Sequence, residues 1–90
     1  MNEESAPERI SIDWSTDARG ELLAIDRENA IQILHCIDRY LAMRAGDVKQ
    51  LKPPMAGFRL RCGDYRVFFD FPGSALIEIT SVRHRKDAYR

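Results

Sequence analysis

Residues 58–71 read FRLRCGDYRVFFDF, and the fold turns on how this stretch is read. Gly63-Asp64 at its centre is turn chemistry, because glycine takes positive φ without steric cost and a small polar residue completes the turn. The run before it is Phe58–Cys62 and the run after it is Tyr65–Phe71. Both alternate as a half-buried strand must, so the stretch predicts a β-hairpin. One face carries Phe58, Leu60 and Cys62, continued by Tyr65, Val67, Phe69 and Phe71. The other face carries Arg59, Arg61 and Arg66, whose guanidinium groups could converge on phosphate.

Upstream, residues 9–14 alternate, with Ile10, Ile12 and Trp14 on one face, and predict a first strand. Ser15-Thr16-Asp17 are helix-capping residue types, and 18–25 reads as a short helix with Leu22, Leu23 and Ile25 as its apolar contacts. Asp26 reads as a second N-cap. From Arg27 to about Met43, residues Ala30, Ile33, Leu34, Ile37, Tyr40 and Leu41 fall on one helical face. Gly46 reads as the helix stop. Residues 47–56 read as a loop carrying Lys49, Lys52 and an extended Pro53-Pro54 pair. Downstream, Pro72-Gly73-Ser74 is a second turn, residues 75–82 are a last strand, and the end reads RHRKDAYR.

The order strand, helix, helix, strand, strand, strand predicts an α+β fold. A helical hairpin packs on one face of a mostly antiparallel sheet that ends in a three-stranded meander. The basic face opposite stays open to a partner. Residues 1–8 are a flexible acidic tail, and 9–90 are one domain, the scale expected of ninety residues with 44% apolar content.

Formal net charge is zero, but the charge is unevenly spread. Residues 1–48 hold five arginines and ten acidic residues, a balance of −5; residues 49–90 hold nine lysines and arginines and four acidic residues, a balance of +5. A basic half suits nucleic acid or an acidic protein partner, or the two halves neutralise each other in the fold. Cys36 and Cys62 belong to no CxxC pair and no secretory leader is visible, so both are expected to be small, buried, reduced thiols of a cytoplasmic protein. No apolar run approaches the roughly 20 residues of a membrane span.

The sequence has no glycine-rich phosphate loop, no HExxH and no metal-spaced Cys/His cluster, so neither metal nor cofactor is expected. His35 falls mid-helix and reads as structural or surface. What remains is Arg59, Arg61, Arg66, Arg83, His84, Arg85, Lys86 and Tyr89. Arginine forks suit phosphate, Tyr89 could stack on a base or act through its phenol, and His84 alone has an ordinary pKa near neutrality. Cleavage of RNA needs a base for the 2′-hydroxyl, a cation for the phosphorane and an acid for the leaving oxygen. Arginine supplies the second. A basic rim that only docks an acidic partner fits the same residues.

RLRCGDYRVFF, followed by a strand and then SVRHRKDAYR, resembles the RelE/ParE superfamily of type II toxin–antitoxin toxins, most closely its RelE-like members. The resemblance spans nearly the whole chain. It implies an mRNA interferase, an endoribonuclease that inhibits translation by cleaving mRNA in the ribosomal A site. The chemistry is metal-free attack of the ribose 2′-hydroxyl on the adjacent phosphate, and a cognate antitoxin neutralises the toxin. The resemblance implies that Arg66 and Arg85 stabilise the transition state, that Tyr89 stacks on the substrate nucleotide, and that Arg59 is a base or phosphate contact. Arg61, Lys49, Lys52, Arg83, Lys86 and Arg90 would then bind RNA. The pattern departs at Gly57, where RelE members carry a lysine, and His84 is the group expected to act instead. The ParE branch keeps the fold but inhibits DNA gyrase without chemistry of its own, and is the alternative.

Overall fold

The structure is a computed structural model and describes residues 10–88. The expected acidic tail, Tyr89 and Arg90 lie outside the described residues. In chain order the elements are β1 (Ser11–Trp14), α1 (Thr16–Leu23), α2 (Arg27–Met43), β2 (Asp47–Gln50), β3 (Phe58–Cys62), β4 (Tyr65–Gly73) and β5 (Leu76–His84). They form one five-stranded sheet in the order β1-β5-β4-β3-β2. β1 runs parallel to β5, and every other pair is antiparallel. The α+β layout expected from the sequence is the one observed, with β2 as an addition. Residues 47–50 were expected to be loop, but Asp47, Val48, Lys49 and Gln50 pair with Arg61, Leu60, Arg59 and Phe58 as an edge strand. Only Val48 of the four leans on the core, so its alternation is too sparse to show in sequence.

Both helices lie over the same sheet face, and the apolar alternation explains why. Leu60, Val67, Phe69, Ile77, Ile79 and Val82 point to that side and are 0–3% exposed. α1 contributes Ala18, and α2 contributes Ile33 and Ile37. Phe69 is the centre, with ring centroids 5.5 Å from Phe58, 5.6 Å from Tyr40 and 5.6 Å from Phe71. Leu23 departs from expectation: it is 78% exposed, because the buried stripe of α1 runs through Ala18 and Leu22.

The helix ends follow capping chemistry. The Ala18 N–H donates to Ser15 Oγ at 3.0 Å, and the Asn29 N–H donates to Asp26 Oδ2 at 3.2 Å. The Asn29 side chain also donates to Asp26 Oδ1 at 2.8 Å. These bonds hold the Asp26 carboxyl below its ordinary pKa, the Asn29 side chain being the larger cause. α2 ends at Met43, where its periodicity predicts, but the left-handed residue that stops it lies two positions before Gly46. Arg44 takes the left-handed conformation at φ 53°, and its guanidinium lies 5.4 Å from the Tyr40 ring centroid. That cation–π contact, about 0.5–1 kcal/mol at an exposed site, offsets part of the backbone cost.

The cysteines are not free thiols. Cys36 of α2 and Cys62 at the end of β3 are disulfide-bonded, with Cα atoms 5.9 Å apart. The expectation of two reduced thiols is therefore overturned. α2 lies directly over the end of β3, which brings together two residues that no sequence motif links. In the chain-entropy account, closing 26 residues stabilises the fold by about 3–4 kcal/mol.

One irregularity sets the rest of the geometry. Phe68 pairs with Ser81 while Phe69 pairs with Ile79, so Thr80 is an extra residue on β5. Thr80 Oγ1 donates to Phe68 O at 3.1 Å, and Ser15 Oγ donates to Thr80 O at 3.2 Å. This β-bulge reverses the alternation downstream. Val82 and His84 turn to the helix side, and Ser81 and Arg83 turn to the open side.

Candidate nucleic-acid interface

The open face carries its charge in rows across the strands. Arg61 of β3 is the Cα partner of Arg66 of β4, and Arg66 is the partner of Arg83 of β5. Partners directly opposite in an antiparallel pair have Cβ atoms about 4.5–5.5 Å apart, and like charges so placed are destabilising. Nothing in the packing of the core requires this row. The next row is Lys49, Arg59, Phe68 and Ser81. The third is Asp70, Glu78 and Asp13, again Cα partners. The face is thus basic towards the Gly63-Asp64 turn and acidic at the other end. Among the described residues no group of His, Cys, Asp or Glu could hold a metal ion.

Each arginine is steered by a neighbour. Arg66 is only 9% exposed, and its Nη1 donates to Gly63 O at 2.9 Å and to Tyr65 O at 3.0 Å. It therefore clasps the hairpin turn. Arg59 donates to Asp47 Oδ1 at 3.1 Å, and Arg61 lies 4.0 Å from the same carboxylate. Arg85 donates its backbone N–H to Asp64 O at 2.8 Å, with its side chain 3.7 Å from Asp64 Oδ1. Arg83 is set by Glu21 of α1, whose Oε2 is 3.4 Å from Arg83 Nε. Glu21 Oε1 also accepts from the Val82 N–H at 2.7 Å and from Ser81 Oγ at 3.0 Å. Asp47 and Glu21 come from the acidic N-terminal half, so the two halves do neutralise each other in part. The Arg61, Arg83 and Arg85 side chains are nevertheless 46–58% exposed. Exposed pairs of this kind contribute about 0–1 kcal/mol, so a phosphate can replace the carboxylate at little cost.

A cleft of about 350 Å³ adjoins the row, lined by Leu51, Met55, Ala56, Phe68, Ser81, Arg83 and Ala88. The loop after β2 and the turn after β5 form its walls. They leave Phe68 8% exposed although it sits on the face expected to be open. The sequence gives one retrospective sign of this, an aromatic residue out of phase with its strand.

The expected site residues separate into groups. Arg59, Arg61, Arg66 and Arg83 share the open face with Lys49, and Arg85 stands at the hairpin turn that bounds it. Lys52 lies in the exposed loop after β2, and Lys86 is exposed in the turn after β5. His84 is on the other face, where its ring meets Tyr65 edge-on at 5.3 Å and its Nδ1 accepts from the Lys86 N–H at 3.2 Å. Gly57 has φ +88°, and a Cβ there would stand 2.7 Å from Phe69 O. No side chain, lysine included, fits at that position without moving the backbone. Glu21 was not singled out in the sequence. Its role depends on α1 crossing β5 beyond the end of β1, where the Val82 N–H has no strand partner.

Three kinds of comparison bear on the family. The family model described as "ParE toxin of type II toxin-antitoxin system, parDE" matches residues 12–89. No curated protein matches the chain. Among solved structures, the RelB-RelE antitoxin-toxin complex from Methanococcus jannaschii is similar at TM-score 0.67 and 20% identity, over 86% of this chain and 94% of that one. A YoeB dimer from Staphylococcus aureus is similar at TM-score 0.68 and 19% identity, over 84% and 97%. A toxin-antitoxin complex from Mycobacterium tuberculosis is similar at TM-score 0.61 and 24% identity, over 86% and 99%. These likenesses establish a shared fold, and the family match spans most of the chain from β1 onward: the chain belongs to the ParE toxin family of type II toxin–antitoxin systems, within the RelE/ParE superfamily.

Proposed function

We propose that this toxin cleaves ribosome-bound mRNA by attack of a ribose 2′-hydroxyl on the neighbouring phosphate, without a metal. One observation carries the reading: Arg61, Arg66 and Arg83 stand as successive Cα partners across the open face. Three arginines at successive register positions bring to one face the residue type suited to the charge that develops on a phosphorane. Arg85 at the turn adds a fourth cation, and the 350 Å³ cleft beside Arg83 offers Phe68 and Met55 as apolar surface for a base. Lys49, Lys52 and Lys86 extend positive charge to either side for the RNA backbone. Tyr89 and Arg90 continue the chain beyond Ala88, a wall of that cleft, and Tyr89 is assigned to stacking. Arg59 is assigned to a phosphate contact. A cognate antitoxin neutralises the toxin by covering the basic row, as the RelB partners of similar structures suggest.

A second reading has its own support. The matching family model describes parDE toxins, Arg66 is turned onto the hairpin, and His84 lies on the far face. Among the described residues the row thus has no imidazole beside it to take a proton. A toxin that docks on DNA gyrase through the same row needs none. Induced expression followed by mapping of mRNA 5′ ends separates the two readings. New ends within translated frames are expected. Intact messages together with blocked supercoiling by purified gyrase would overturn the nuclease reading. Under that reading, Arg66→Ala and Arg85→Ala each lower cleavage by about 100-fold or more, the effect of losing one donor to a developing oxyanion.

A further inference from the structure

A separate polar recess of about 340 Å³ opens where α2 meets the end of β3. Gln32, His35, Arg39 and Arg61 line it around the Cys36–Cys62 bond. Among the described residues its lining brings two guanidinium groups and an imidazole and no carboxylate, with Asp47 beyond the lining 4.0 Å from Arg61. The two sulfurs are not equivalent. Cys62 is buried at 8% exposure, whereas Cys36 is partly exposed at the recess.

We propose that Cys36–Cys62 is an exchangeable disulfide and that the recess binds an anionic low-molecular-weight thiol of the acidic-peptide class. The ligand's thiolate attacks Cys36 Sγ. A bond forms between ligand sulfur and Cys36 as the Cys36–Cys62 bond breaks. The electron pair goes to Cys62 Sγ, which takes a proton from water. A second thiolate of the same class attacks the ligand sulfur, releases Cys36 as a thiolate and departs with the ligand as its oxidised disulfide. Two ligand thiols are oxidised and one protein disulfide is reduced. Both cysteines line the recess, and attack falls on Cys36 because it is the more exposed residue of the two; the cationic lining favours both an anionic ligand and the Cys36 thiolate as leaving group. Arg61 belongs to the recess and also to the arginine row of the open face. Occupation of the recess therefore draws on a cation that the row uses.

The test uses the full chain oxidised with oxidised glutathione and desalted, with glutathione as the anionic probe and cysteamine as the cationic one. Rates are normalised to each thiol's rate on a small-molecule disulfide and read by intact mass after alkylation. The oxidised protein is expected to show no alkylatable thiol, and the first adduct is expected on Cys36. Glutathione is expected to react about tenfold faster than cysteamine at low salt, the low end of steering by a charged cleft. That preference should fall in about 1 M salt and in Arg39→Gln, an exposed position whose change leaves the core intact. Alkylatable thiols after oxidation, a first adduct on Cys62, or equal normalised rates would each overturn the proposal. None of these readouts depends on cleavage of RNA or on gyrase.

Discussion

On the helix side of the meander, Phe69 meets Tyr40, Phe58 and Phe71 at centroid distances of 5.5–5.6 Å, and Leu60, Val67 and Ile79 fill the space between. On the other side of the same strands, Arg61, Arg66 and Arg83 stand opposite one another with like charges in register. The first arrangement is what burial alone selects. The second runs against stability, offset in part by Asp47 and Glu21 and by the carbonyls of Gly63 and Tyr65. The contrast teaches where to look for function in a small domain: at the places where the chain is arranged in a way that folding does not ask for.

The largest test of this contrast is Phe69→Ala. Truncating a fully buried ring should cost about 3–5 kcal/mol in urea unfolding, a large part of the stability of a domain this size. A loss below 1 kcal/mol would mean that the helix side is not the core. Next comes Glu21→Ala, which leaves the Val82 N–H without its acceptor and should cost about 1–3 kcal/mol. It should also loosen Arg83, seen as weaker toxin activity in the fraction that remains folded. Gly57→Lys sharpens the comparison from the other side. It should lower stability by about 1–2 kcal/mol for the backbone alone and raise no activity above that of the wild type. A gain in cleavage would show that a lysine can reach the row after all. Arg61→Gln should leave stability within about 0.5 kcal/mol, because its side chain is half exposed and relieves a like-charge pair. Its effect should appear in target binding and its salt dependence.

The smallest effect belongs to Asp26. Its carboxyl is held below the ordinary range by the bonds from Asn29, so the cap stabilises the fold fully above that range and fades as pH falls through the depressed value. The difference in melting temperature between the wild type and Asp26→Ala should therefore be present at neutral pH and shrink below about pH 4. A difference that persists unchanged to the acid limit would remove the charge from the explanation.

Much of this was legible from periodicity. α2 is long enough for its stripe through Ile33 and Ile37 to stand out, and the Phe58–Phe71 hairpin announces both its turn and its faces. The features that were not legible are those fixed by a distant partner. Asp47–Gln50 is a strand because β3 offers an edge, not because DVKQ favours extension. Cys36 and Cys62 bond because a helix crosses a strand end, and their spacing carries no motif. Gly57 reads in sequence as a missing lysine, whereas the structure shows a backbone pressed against Phe69. The faces of Arg83 and His84 depend on one bulge, and strict alternation from Ile77 and Ile79 would have exchanged them.

That last point has a wider consequence. Thr80 works as a phase shifter within β5: upstream of it odd-numbered residues serve the interior, downstream even-numbered ones do. Loss of this one residue would leave composition and hydrophobicity almost unchanged, yet it would send the Arg83 guanidinium inward and the His84 imidazole outward. Among distant relatives of such a chain, the chemistry of the exposed surface can therefore be rewritten by a single-codon insertion or deletion, with no substitution of a functional residue at all.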